Sequence, residues 1–179
     1  VSAGPQPVSV SYRTHVQDVG WQSFVSDGAM SGTTGQSLRL EGIEINVNGD
    51  PNLGISYSTH VQNIGWQGYV SDGSMSGTSG QSLRLEAIKI QLKGADAALY
   101  DVYYHVHAQN FGWMGWTKNG ASAGTAGYAY RLEGIEIVIV PAGAAAPGTT
   151  SGAFSQFSGV LYSSHVQNIG WQNYVSNGE

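Results

Sequence analysis

HVQNIGWQGYVSDG, residues 60–73, is a phrase that the chain uses four times. It reads HVQDVGWQSFVSDG at 15–28, HAQNFGWMGWTKNG at 107–120 and HVQNIGWQNYVSNG at 165–178. Recurrence at a near-fixed period marks a chain of like units, and it decides the fold before any single element does. The tryptophans set the period: Trp21, Trp66, Trp113 and Trp171 lie 45, 47 and 58 residues apart. A second phrase follows the first three copies: SGTTGQSLRLEGIEINV (31–47), SGTSGQSLRLEAIKIQL (76–92) and AGTAGYAYRLEGIEIVI (123–139). The fourth copy reaches Glu179 before this phrase begins. The expected organisation is a three-repeat domain over 1–140, with repeats at about 8–50, 53–95 and 99–140. A linker by composition follows at 141–159, then a partial fourth repeat, a hairpin, at 160–179.

Within a unit the periodicity is that of strands. Val8, Val10, Tyr12, Thr14 and Val16 alternate with Ser9, Ser11, Arg13, His15 and Gln17, which predicts a half-buried strand. Asp18-Val19-Gly20 makes a short connection, and Trp21–Ser26 resumes as the return strand of a hairpin. Leu38 and Leu40 share one face, whereas Ile43, Ile45 and Val47 are offset by one. Such a phase slip at Glu41-Gly42 predicts a β-bulge or sharp bend. No segment keeps a 3.6-residue period, so no helix is expected. The fold class is all-β, with three pseudo-symmetric repeats of about 45 residues plus an extra hairpin. Closing three units on one another removes exposed strand edges. A β-prism-like arrangement fits the long strands, with a β-trefoil or an open stack of hairpins as the alternatives.

Composition narrows the function. The chain has 179 residues, 26 glycines, 7 Lys plus Arg and a net charge of −5. That balance lacks the basic footprint of nucleic-acid binding. No apolar run is long enough for membrane insertion as a helix. Without cysteine there are no disulfides or thiolate metal sites. The start at Val1 reads as a chain processed or cut from something longer.

The phrases HVQNIGWQ, VSDG, SGTSGQ and RLEAIKI resemble the clostridial hydrophobic repeat with a central tryptophan, the ChW repeat. His60, Gln62, Gly65, Trp66, Gly73, Gly77, Thr78, Gly80, Arg84, Leu85 and Glu86 follow in the family's order. The resemblance implies an accessory module of secreted or cell-surface bacterial proteins, associated with cell wall or glycan, and it implies no reaction. The third copy departs most, with Ala108, Met114 and Trp116 at the places of Val61, Gln67 and Tyr69.

The candidate ligand-binding residues are those that recur. Each of Trp21, Trp66 and Trp113 is read first as the anchor of its unit's core, and second as a stacking platform for a sugar ring. The aromatic three residues on (Phe24, Tyr69, Trp116, Tyr174) varies in size, which suits a partly exposed platform. His15, His60 and His107 fall two residues before Gln17, Gln62 and Gln109, on the face opposite Tyr12. Such a pair can hydrogen-bond sugar hydroxyls, or a neighbouring strand. One histidine per unit is not a metal signature, no cofactor is implied, and His105 has no counterpart in the other units. Arg39/Glu41, Arg84/Glu86 and Arg131/Glu133 are read as pairs that fix register. Asp27, Asp72 and Asn119 precede turn glycines, and no two acids meet in the way a glycosidase needs, so no enzyme is expected. Glycan or cell-wall polysaccharide is the expected partner. A protein partner, or self-association through 160–179, is the alternative.

Overall fold

The structure, a computed structural model, describes residues 4–159, 161–173 and 175–176. Val10, Tyr12, Thr14 and Val16 are buried, while Ser9, Ser11, Arg13 and His15 turn outward, as the alternation requires. Three long antiparallel ribbons carry the fold. Ser9–Val16 pairs with Leu40–Asn48, Gly54–Val61 with Leu85–Lys93, and Tyr100–Ala108 with Leu132–Pro141. One 3-10 turn at Ala97–Leu99 is the only helical element among the described residues. The expected return strand is broken. Gly20–Trp21 and Val25–Ser26 both bridge back to the first strand, and the residues between them arch away from it.

The phase slip is a bulge. His15 lies opposite Gly42 and Val16 opposite Leu40, which leaves Glu41 as the extra residue. Glu86 and Glu133 occupy the same place in the other ribbons. An unpaired residue is free to be re-aimed, and Glu41 turns its carboxylate to the Nε of Arg39 at 2.8 Å.

The ribbons close into a ring by lending short strands. Ser31–Gly32 of the first unit pairs with Leu132–Pro141 of the third. Ser76–Gly77 of the second unit pairs with Leu40–Asn48 of the first, and Ala123–Ala126 of the third with Leu85–Lys93 of the second. Glycine is needed at the lent position. Gly32, Gly77 and Gly124 have φ of 108°, 105° and 110°, and a Cβ there would overlap the neighbouring unit's Glu133, Glu41 or Glu86 carbonyl.

Tyrosine clasps each joint. The Tyr12 hydroxyl donates to the Ala29 carbonyl of its own unit and accepts the Ile137 N–H of the next at 3.0 Å. Tyr57 repeats this with Ser74 and Ile45, and Tyr104 with Ala121 and Ile90. Burial pushes the Tyr12 and Tyr57 hydroxyls up to about 12 and raises Tyr104 as well. These rings fill the centre with Val10, Ile43, Ile45, Ile90, Ile137 and their equivalents. The tryptophans are absent from that core, so the expectation that they anchor it is corrected. An inward place on the strand already belongs to tyrosine, whose hydroxyl serves the polar joint that an indole cannot.

The 141–159 segment does more than connect. Phe154–Gln156 adds to Ala123–Ala126 as a parallel strand. A substitution in the third unit explains the choice of place. In the first unit Gln22 Oε1 accepts the Gly32 N–H at 2.7 Å, and Thr14 bonds to Ser31 at 2.8 Å. The second unit repeats both with Gln67, Gly77, Thr59 and Ser76. In the third unit these polar residues become Met114, Val106 and Ala123. The Gly124 N–H is left without its glutamine, and the Ala153 carbonyl takes it at 2.9 Å. A buried N–H must find an acceptor, and this strap supplies one.

The fourth copy is a hairpin in which His165–Val166 pairs with Gly170–Trp171, and Leu161–Tyr162 with Val175–Ser176.

Candidate functional site

Because the return strand is broken after each tryptophan, the next aromatic is carried out of the sheet. In the first unit Gln22 turns inward to Gly32, and Phe24 is displayed at 46% exposure. Arg13, on the outward face of the ribbon, lies over both rings, 4.9 Å from the Trp21 centroid and 4.7 Å from Phe24. Its Nε is held by Glu44 at 2.7 Å. Guanidinium over indole is attractive on its own account. Here it also fixes the two rings as one surface.

The second unit reaches a similar end differently. Tyr69 is 48% exposed, and Lys89 Nζ lies 4.2 Å from the Trp66 centroid. Arg13 pairs across the ribbon with Glu44, and Ser58 with Lys89. The cation thus moves from one strand to the other, yet it stays beside the tryptophan. In the third unit the cross-strand pair is His105 and Glu136. The His105 ring stacks between Trp113 (4.5 Å) and Trp116 (3.8 Å), with Nε2 2.8 Å from Glu136. His105 therefore has a counterpart in Arg13, which comparison of the recurring phrases missed because the residue types differ. Ribbon register is the signal that finds it.

The third site is partly roofed. The strap's Thr149 carbonyl accepts the Trp116 N–H at 2.8 Å, and a Cβ at Gly148 would come within 3.1 Å of Trp116 Nε1. Trp116 is only 9% exposed, although Trp113 remains 39% exposed. A cavity of about 280 Å³ remains between the rings and the strap. The expected platform is thus open at Phe24 and Tyr69 and covered at Trp116. Tyr174 lies outside the described residues.

His15, His60 and His107 each meet their tryptophan edge-on at 5.4, 5.4 and 5.5 Å. His165 does the same to Trp171 at 5.3 Å, so the contact belongs to the phrase and not to the ring of units. On their inner side the Nδ1 atoms lie 3.0, 3.4 and 3.4 Å from Glu41, Glu86 and Glu133. The approach is not aligned for a hydrogen bond. The glutamines lie elsewhere. Gln17, Gln62 and Gln109 turn Oε1 to the backbone N–H of Arg39, Arg84 and Arg131 at 3.5, 3.4 and 3.4 Å. Alternation had placed His and Gln on one face, but the strands end at Val16, Val61 and Ala108. The following turn carries Gln away, so His and Gln do not form one site.

The turn acids are caps. Asp27, Asp72 and Asn119 each accept a backbone N–H near the start of their ribbon, from Val10, Ile55 and Val102, at 2.8, 2.9 and 3.0 Å. Burial raises the Asp72 carboxyl, but bonds from Lys93 and the Ile55 amide outweigh it and hold it below its ordinary value. Among the described residues no group of three or more His, Asp or Glu side chains is placed to hold a metal ion.

A family model described as ChW, Clostridial hydrophobic W, matches residues 15–49, 60–94, 107–141 and 165–179. No curated protein and no solved structure matches the chain.

Proposed function

The chain belongs to the Clostridial hydrophobic W family, and from that premise we propose that this repeat-containing bacterial module binds carbohydrate without catalysis, outside the cell. The observation that carries the reading is a half-buried tryptophan with a cation over it and an exposed aromatic three residues on, at the same place on the first and second units. Sugar rings offer C–H faces to aromatic surfaces, while their hydroxyls accept from guanidinium or ammonium. Phe24 with Trp21 and Arg13, and Tyr69 with Trp66 and Lys89, supply both chemistries. Two such surfaces on one rigid ring suit a repeating polymer, because the second contact is made at a raised effective concentration.

Pull-down on bacterial wall and plant polysaccharides tests this. The chain is retained on at least one, Phe24→Ala combined with Tyr69→Ala releases it, and Trp116→Ala does not. A folded chain retained on none rejects the reading.

A second reading is a structural or adhesive module that associates through the fourth hairpin. It is favoured by Ile169 and Trp171, which stand 72% and 73% exposed. Sedimentation of the full chain and of residues 1–140 separates the two readings. Monomers in both cases reject the second.

A further inference from the structure

The three R-L-E arginines were read as register pins, but they also share a cavity. Arg39, Arg84 and Arg131, one from each unit, line a single concavity of about 310 Å³, with Gln17, Gln62 and Gln109 between them. The three units supply equivalent residues, so the concavity sits where the ring converges at one end. It lies away from the aromatic surfaces, none of whose rings lines it.

The arginines are held from behind. Their Nε atoms lie 2.8, 3.3 and 3.5 Å from Glu41, Glu86 and Glu133. The third approach is an ion pair that is not aligned for a hydrogen bond, and Arg131 Nε is buried. Among the described residues no hydrogen bond takes up a terminal Nη of any of the three, and Arg39 and Arg84 bond their glutamates through Nε. No carboxylate lines the concavity. The glutamines spend their Oε1 on arginine backbone N–H groups, which leaves their amide NH2 groups as donors. Ser37 and Ser82 add hydroxyls at the rim, where the third unit has Ala129.

Fixing register needs only the Nε–carboxylate bonds. It does not need three guanidinium groups gathered about one small space, each met only from behind by Glu41, Glu86 or Glu133. Guanidinium groups recognise carboxylate and phosphate through paired N–H donors, and the volume is that of about ten water molecules. We propose that this basin binds one small multivalent anion bearing carboxylate or phosphate groups. The site is independent of the carbohydrate reading.

Titration calorimetry of the full chain with citrate, and separately with pyrophosphate, tests it against sodium chloride of matched ionic strength. The expected result is one molecule of either anion per chain, with affinity that weakens as salt is added. Gln62→Glu places a carboxylate among the arginines and weakens binding by roughly tenfold or more. Ser37→Glu, at an exposed loop position, delivers the same charge without touching the glutamine bond, and does likewise if Gln62→Glu fails to fold. Absence of binding by both anions beyond chloride overturns the proposal. So does binding that the folded variants leave unchanged, since the anion then sits elsewhere.

Discussion

Gln22→Met in the first unit tests why the strap docks where it does. The substitution keeps side-chain length and nearly keeps volume, so it opens little cavity. It removes the bond from the Gly32 N–H at 2.7 Å, the bond to the Gly32 carbonyl at 3.2 Å, and a weaker one from Thr14 at 3.3 Å. Gly32 is buried. A buried donor left without a partner costs about 1–3 kcal/mol, and the lost carbonyl partner adds to that, for about 2–4 kcal/mol in all. In a chain of this size each kcal/mol moves Tm by about 2–4 °C, so the midpoint falls by roughly 5–15 °C. Differential scanning fluorimetry or urea denaturation reads it. The third unit carries Met114 because Ala153 serves Gly124, and the strap serves no other unit. The triple change Thr14→Val, Gln22→Met, Ser31→Ala should therefore recover the hydroxyl losses and keep the Gly32 loss. A shift under about 1 °C for Gln22→Met, or full recovery in the triple variant, refutes the reasoning.

Two other measurements bear on the joints. The Tyr12 and Tyr57 hydroxyls are raised by burial to about 12 in the folded chain from 10 in the unfolded. Their stabilisation is complete below pH 10 and is lost as pH rises toward 12, at about 1.4 kcal/mol per pH unit for each tyrosine. Denaturation midpoints at pH 9 and pH 11.5 check this, and equal midpoints refute it. A Cβ at Gly115 would overlap the Ser151 carbonyl, so Gly115→Ala lifts the strap from Trp116. The expected signs are red-shifted tryptophan emission and faster proteolysis within 144–153, neither of which follows if the strap stays down.

Strands and bulge were legible because both rest on period-two alternation, and Glu41 broke it at the place where the register shifts. Closure was legible only as a need. Alternation turned Tyr12 inward but could not show that its hydroxyl bonds into another unit, because alternation describes one strand. The tryptophans misled for a related reason: size suggests burial, yet a two-residue bridge beside a broken strand leaves the ring at the surface. The 141–159 segment looked like a linker because Ala, Gly, Ser and Thr carry no pattern. Its docking is written in Met114, more than thirty residues upstream. The side chain beside each tryptophan was hidden because three residue types on two strands, Arg13, Lys89 and His105, take the place.

The lending of strands around the ring has a consequence for how such units can assemble. Each unit gives a Ser-Gly or Ala-Gly strand and a tyrosine clasp in one direction, and receives the same from the other. A lone unit thus holds both halves of the contact it lacks, and three separate copies can close head to tail as a cyclic homotrimer. The tandem chain has the closure of such a trimer within one polypeptide. A continuous chain also brings the strap to the third copy, where the polar trio is missing and Ala153 takes the Gly124 N–H.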